Sequence, residues 1–424
     1  MSWVSIACFG ICFGIAVSAL KTGADPLSPA RVFGFVWSLV IALTDLKFSA
    51  FQHEWTFDSW ILLLTAICAF LVGVFVAYVL SVRKKLVPIP AMREVLKQEQ
   101  IHETRLFWLI CLSVVVYCAA YLLNFLAKGW LPIEAAERQI SRVEFNVTGL
   151  TFLTYIVPSI FFFIVLYFLK VRGKRGRKTL LGFLLLIVFG SFLLFVSRFQ
   201  IVIVFVVCGT VFYYATHFVR LRAALIVLAL AIAFFYGISS IRFSHVVATY
   251  LYSTSKMRFP IDYAFLTEPY MYFVMNLENF ARAVARLDHH TYGYYTFDFI
   301  TAIAGLKYWV YEYFNMNRLP YLVSNYNTYS AFWAFFYDFG VMGLALIPGA
   351  LGFGTGLLYY RMRSRPTIKN VTAYGVMVFV MLISFFVFPL SFLWFEFNLL
   401  VTYLFLRWTI MPRRATAQSF LVTG

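Results

Sequence analysis

WILLLTAICAFLVGVFVAYVLSV, residues 60–82, runs without a charged side chain and stops at Arg83-Lys84-Lys85. An α-helix rises about 1.5 Å per residue, so about 20 mainly apolar residues cross the hydrocarbon core of a bilayer. The stretch is long enough to span, and the basic triplet marks the side on which it ends. The same ruler finds further windows near 3–20, 32–51, 106–127, 151–169, 179–196, 199–218, 223–241, 340–360, 371–394 and 397–411. Asp45 and Lys47 crowd the end of the window 32–51.

Composition points the same way. Hydrophobic residues fill 62% of the 424 positions and charged residues 12%. A soluble domain carries about 45–50% apolar and about 25% charged residues, so a soluble fold could not bury this much apolar surface. The expectation is an all-α integral membrane protein with about eleven transmembrane helices. It divides into a bundle of about eight helices over 1–241, a large external loop over 242–328, and about three helices over 329–424.

The net charge of +17 is distributed by side. With the N-terminus outside, the connections 21–31, 83–105, 170–178, 219–222, 361–370 and the tail from 412 share one side. They carry 22 Lys and Arg against four acids, whereas the other side carries 12 against 14. The excess lies where the positive-inside rule places the cytoplasm, so the C-terminus is expected inside. Topological anchoring accounts for the basic runs, and no folded basic domain offers itself to nucleic acid. The first window lacks the basic n-region of a cleavable signal peptide. All six cysteines (Cys8, Cys12, Cys68, Cys111, Cys118, Cys208) fall in predicted spans, where they read as small buried hydrophobes.

The inner segment 83–105 starts extended at Leu86-Val87-Pro88-Ile89-Pro90 and then takes a charged helical pattern expected on the cytoplasmic face. The external segment 242–328 is too long to lack structure. Glu268-Pro269 suits a helix start, and Phe273, Leu277, Phe280, Val284 and Leu287 recur at helical spacing. Another face presents Tyr272, Asn276, Asn279, Arg282 and Arg286. The segment 297–314, apolar and aromatic, is expected along the membrane interface. Fourteen of the 27 tyrosines lie between 242 and 329, which suits interface anchoring or a sugar pocket.

Charges at membrane depth are costly and point to function. Arg198 follows Ser197 in a tight outer turn between two windows. It can snorkel to headgroups or bind a phosphate with its planar fork. Arg242 opens the long loop, and Arg258, Arg282, Arg286 and Arg318 follow along it as candidate substrate-binding residues with Tyr272, Asn276 and Asn279. Seven Lys and Arg in the loop face six Asp and Glu, so an ion-pair network is the competing reading. Asp338 stands at the outer mouth of a window, with cap, salt-bridge and functional roles open to it. Gly340, Gly343, Gly352 and Gly356 read as close-packing surfaces. No acidic Asp-x-Asp pair, zinc-spaced His/Cys set or phosphate-binding Gly-rich loop is present. His245, His289 and His290 are the outer histidines expected near the arginines, each a weak candidate base.

The Ser197-Arg198 hairpin, the Arg242 start of the loop, and the run Asn327-Thr328-Tyr329-Ser330 to Tyr337-Asp338-Phe339-Gly340 resemble bacterial oligosaccharide repeat-unit polymerases of the Wzy type. Ser330 stands where threonine is more usual. The resemblance implies a GT-C-like fold and an inverting glycosyltransferase that needs no metal or cofactor. It implies polymerisation of polyprenyl-pyrophosphate-linked oligosaccharides outside the bacterial plasma membrane, with membrane lipids, a chain-length regulator and a flippase as partners. Arg198, Arg242, Asn327 and Asp338 would form the catalytic set, with Arg198 and Arg242 on the donor pyrophosphate. The related O-antigen ligases carry a histidine where this chain has Asn327, which leaves the base open. A ligase and a lipid-linked oligosaccharide flippase are the alternatives, although no repeat relates the halves as in many transporters.

Overall fold

The structure, a computed structural model, describes residues 2–21, 23–131, 145, 147, 149–194, 199–216, 246–307, 309, 322–323, 326 and 328–411. Those residues form helices and no strand. Five helices are long and apolar enough to cross a membrane: Phe57–Ser81, Glu103–Lys128, Phe152–Lys170, Arg175–Leu194 and Ala331–Ser364. Trp3–Ala19, Phe199–Ala215 and Ile368–Ile383 are shorter and also apolar. These are the helices of a helical membrane protein. The window 223–241 lies outside the described residues.

The chain forms two compact units. The first comprises Met1–Leu86, Phe243–Ser364 and Val376–Glu396; the second comprises Val87–Arg242, Arg365–Gly375 and Phe397–Gly424.

In the first unit, α1 (Trp3–Ala19), α2 (Pro29–Asp45) and α3 (Phe57–Ser81) precede the loop. Proline at the start of α2 costs no helical hydrogen bond, and Thr56 caps α3 by accepting the Ser59 N–H. Beyond the loop comes α12 (Ala331–Ser364), which lies directly against α3. Glycine permits this approach. A Cβ on Gly73 would stand 2.1 Å from the Gly349 carbonyl oxygen, and one on Gly352 would stand 2.0 Å from that of Phe70. The rings of Phe33 and Phe70 stack beside this contact, and Trp37 stacks on Phe332.

Three boundaries differ from expectation. The window 340–360 belongs to a helix that begins at Ala331 and bends at Gly340, whose φ of 59° favours glycine. The window 371–394 is broken: α13 (Ile368–Ile383) stops, a 3-10 turn follows at Pro389–Ser391, and α14 (Leu393–Thr409) begins anew. The second helix ends at Asp45 rather than near 51, with Lys47 in the left-handed region.

Connections gather at the two ends of this unit. At one end, Asp25 between α1 and α2 takes a 3.1 Å ion pair from Arg363 and a 2.9 Å hydrogen bond from the Tyr359 hydroxyl. At the other end lie the residues between α2 and α3, the described residues 255–258, the start of α12, and the break after α13.

The second unit contains α4 (Ile89–Gln98), α5 (Glu103–Lys128), a helical turn at Thr151–Thr154, α6 (Val157–Lys170), α7 (Arg175–Leu194) and α8 (Phe199–Ala215). The charged pattern after Pro88 does form a short amphipathic helix, α4, whose Met92 and Leu96 are buried. Polar groups of the expected inner connections meet around it. Glu99 accepts the Ile368 N–H at 2.7 Å, and Lys170 donates to the Leu96 carbonyl at 2.5 Å. Arg177 pairs with Glu103 at 3.1 Å. All six cysteines lie on helices and are free thiols.

Candidate functional site

The site is built at the loop end of the first unit, around α10 (Thr267–Arg286). This helix starts as expected, with Glu268 in its first turn and Arg286 in its last, each complementing the helix dipole. Before it come α9 (Val246–Thr254) and a 3-10 turn at Ile261–Leu266, and after it α11 (Asp298–Ile303). Residues 308 and 310–314 of the segment 297–314 lie outside the described residues.

The sequence places Asn276 and Asn279 on an open polar face of α10, whereas both are buried. Met271, Val274, Leu277 and Phe280 are buried, and so are Asn276, Glu278 and Asn279. A buried polar side chain needs partners, and Asn279 and Glu278 find theirs in other segments. Asn279 donates through Nδ2 to the Thr328 carbonyl at 2.7 Å and to that of Tyr326 at 3.3 Å, while its Oδ1 accepts the Val323 N–H at 2.7 Å. It ties the chain entering α12 to the helix. Asn276 donates to the Tyr272 carbonyl one turn back, at 2.5 Å.

Tyr270 binds α10 to the connection after α2. Its hydroxyl donates to Gln52 Oε1 at 2.8 Å and accepts the Phe48 N–H at 3.0 Å. Burial pushes this phenol up to about 12. The same connection meets the loop through the backbone: Arg258 N–H donates to Phe48 at 2.8 Å, and Ser49 Oγ donates to the Ser255 carbonyl at 2.7 Å.

Glu278 is the most telling member. Its side chain is 2% exposed, and its carboxylate gathers donors from two segments. The His53 N–H reaches Oε1 at 3.3 Å, and the His53 ring Nδ1 lies 3.0 Å from the same oxygen. Trp55 Nε1 donates to Oε2 at 3.2 Å, and Arg282 Nε stands 3.7 Å away on the next turn. Arg282 also donates to the Phe51 carbonyl at 3.4 Å. The His53 side chain is 66% exposed, so an open imidazole is held by a buried acid.

Asp338 is a second buried acid. It sits inside the bent helix rather than at an open mouth, with no exposed surface. Thr291 Oγ1 donates to it at 2.5 Å, the Tyr295 N–H at 3.2 Å and the Thr296 N–H at 2.6 Å. It forms no salt bridge among the described residues. The segment after α10 is thereby fastened to the bend. His290 packs on Gly340, where a Cβ would stand 3.0 Å from its Nε2. Beside this, Tyr295, Tyr329, Trp333 and Tyr337 form an aromatic cluster, and burial raises the phenols of Tyr295 and Tyr329.

Of the candidates read from sequence, Arg198, Arg242, His245, Arg318 and Asn327 lie outside the described residues. Arg258 and Arg286 are exposed, the former within 3.4 Å of the Lys47 carbonyl. Tyr272 is 39% exposed and packs on Phe386. Arg282 alone among them is drawn into the Glu278 cluster. No sequence motif marks His53 or Glu278, and His289 pairs with neighbouring Asp288. Two signals could have found the pair: a histidine in the first short outer connection, and an acid within the apolar pattern of α10. Among the described residues, no group of three or more His, Cys, Asp or Glu could hold a metal ion. No protein-family model, curated protein or solved structure matches the chain.

Proposed function

We propose that the chain is an inverting, metal-independent glycosyltransferase of the plasma membrane that polymerises polyprenyl-pyrophosphate-linked oligosaccharide repeat units on the outer side. In this reading it spans about eleven times in a GT-C-like arrangement, with the N-terminus outside and the C-terminus in the cytoplasm. The loop end of the first unit faces outward, and the Asp25–Arg363 end faces the cytoplasm.

One observation supports this most. A long loop is fastened to the end of an apolar helical unit by buried polar clamps, yet leaves cations and an aromatic ring open around α10. Arg258 and Arg286 are exposed, Arg282 is partly so, and Tyr272 offers a ring. Cations fit a leaving pyrophosphate, whose developing charge they stabilise by charge-assisted hydrogen bonds. A tyrosine fits the apolar face of a sugar. Arg198 and Arg242 remain candidates for the pyrophosphate on the sequence argument alone, as does Asn327 for the acceptor. The polar groups lie on a surface loop, which suits chemistry at the membrane face better than passage through the midplane.

The test is transfer by the purified, detergent-solubilised protein, supplied with polyprenyl-pyrophosphate-linked oligosaccharides extracted from cells that make it. A ladder of products spaced by one repeat unit supports polymerisation. Single transfer to a different lipid or protein acceptor would favour the ligase reading instead.

A further inference from the structure

The proposed transfer needs a group to take the proton of the acceptor hydroxyl. We infer that His53, held by Glu278, is that proton acceptor. The inference rests on the reaction proposed above for its substrate, but on geometry alone for the proton site.

A carboxylate only accepts, so the 3.0 Å contact from the His53 ring requires a proton on Nδ1. In the neutral imidazole the other nitrogen, Nε2, then carries the free lone pair. Glu278 is buried and meets His53 twice, at the ring and at the backbone N–H, so ring and main chain are fixed together. Trp55 holds the second carboxylate oxygen, which stops the acid from turning away. The result is an acid that orients a base, with the base two-thirds open to the outside. The imidazole is a third donor to the acid, beside the backbone N–H and Trp55, and it is the one with a second, exposed nitrogen.

The step balances. The acceptor hydroxyl gives its proton to His53 Nε2, and its oxygen forms a bond to the anomeric carbon of the donor sugar. The bond from that carbon to the pyrophosphate oxygen breaks, and polyprenyl pyrophosphate leaves with the electron pair. The imidazolium then releases its proton to water. Arg282, one turn from Glu278, adds a cation beside the forming charges, and the Lys47–Glu54 pair lies on the same connection as His53. Glu278 is a positioning residue, because it acts through His53.

Two measurements on the full-length protein test this. Nitrogen NMR of protein labelled at histidine, with the His53 signal assigned by its loss in His53→Ala, reads the tautomer directly. The inference expects a proton on Nδ1 and none on Nε2; the opposite tautomer would overturn it whatever the reaction is. The ladder assay is the second. His53→Ala should lose about a hundredfold or more in rate at normal protein level, with partial rescue by added imidazole. Glu278→Gln should lower kcat with little change in KM for the lipid-linked donor. Normal ladders from His53→Ala would overturn the assignment while leaving the polymerase reading intact. No ladder from the unsubstituted protein would defeat that reading, and the tautomer would still decide the proton site.

Discussion

Asp338 accepts a 2.5 Å hydrogen bond from the hydroxyl of Thr291, 47 residues earlier in the chain, with both side chains buried. Two backbone N–H groups share the same carboxylate. Each such bond to a charged acceptor contributes about 1.5–3 kcal/mol, and a donor left unpaired in a buried site costs a similar amount. Asp338→Ala is expected to lower the melting temperature and to expose 288–297 to proteolysis. Asp338→Asn keeps one acceptor oxygen and should fall between the two. Unchanged protection of that segment in Asp338→Ala would count against the clamp.

The contact between α3 and α12 rests on glycine. Gly73→Ala and Gly352→Ala each place a methyl about 2 Å from a backbone oxygen of the facing helix, so the helices must separate. Overpacking of this kind costs about 1–3 kcal/mol or more. Gly354→Ala, where a Cβ meets nothing within 4 Å, is the matched control and should fold normally. The comparison is read as the yield of monodisperse protein in detergent and its thermal midpoint.

Asp25 and Arg363 form a nearly buried pair, 4% and 12% exposed, with the Tyr359 hydroxyl joined to both. Removing one partner of such a pair costs about 3–5 kcal/mol, because a charge is left behind. Asp25→Ala and Arg363→Ala should each destabilise strongly. The double variant should be less harmful than the sum, and a double-mutant cycle with no coupling would refute the pair.

Tyr270 links stability to alkaline pH. Its phenol is held up at about 12 in the folded chain by burial, against an ordinary value of about 10. The folded state therefore keeps the proton over a range in which the unfolded state loses it. The contribution is complete below pH of about 10 and disappears as pH rises through about 12, about 3 kcal/mol in all. Tyr270→Phe should flatten that part of the alkaline unfolding curve. A curve of unchanged slope would mean that Tyr270 does not carry it.

Sidedness has its own check. Ser253 and Arg172 are both exposed, on connections assigned to opposite sides of the membrane. In intact cells, Ser253→Cys should react with an impermeant thiol reagent and Arg172→Cys should not. Labelling of Arg172→Cys from outside would reverse the assignment.

Much of the helical plan was legible because an apolar window is a local property. Residues 60–82 announce α3 with no knowledge of what it touches. The end of α2 was harder, because Phe48 and Phe51 look apolar enough to continue a span, but they pack on the loop instead. The early start of α12 was hidden because Ala331–Phe339 reads as a polar-flanked motif, and the bend depends on a positive φ at Gly340. The two faces of α10 misled for a physical reason. Asn279 and Glu278 are polar, yet their partners lie in segments distant along the chain, so burial left no mark in the periodicity. His53 and Glu278 stand 225 residues apart, and no spacing rule connects them.

In the proposed function, this chain itself elongates lipid-linked glycans without a metal. Purified protein, held in excess chelator and given polyprenyl-pyrophosphate-linked repeat units as both donor and acceptor, tests it most directly. The expected result is a ladder of products rising by one repeat unit per step, with free polyprenyl pyrophosphate released at each step. An unextended substrate that becomes a ladder only after magnesium or manganese is restored would contradict metal independence. An unextended substrate under both conditions would contradict the polymerase itself.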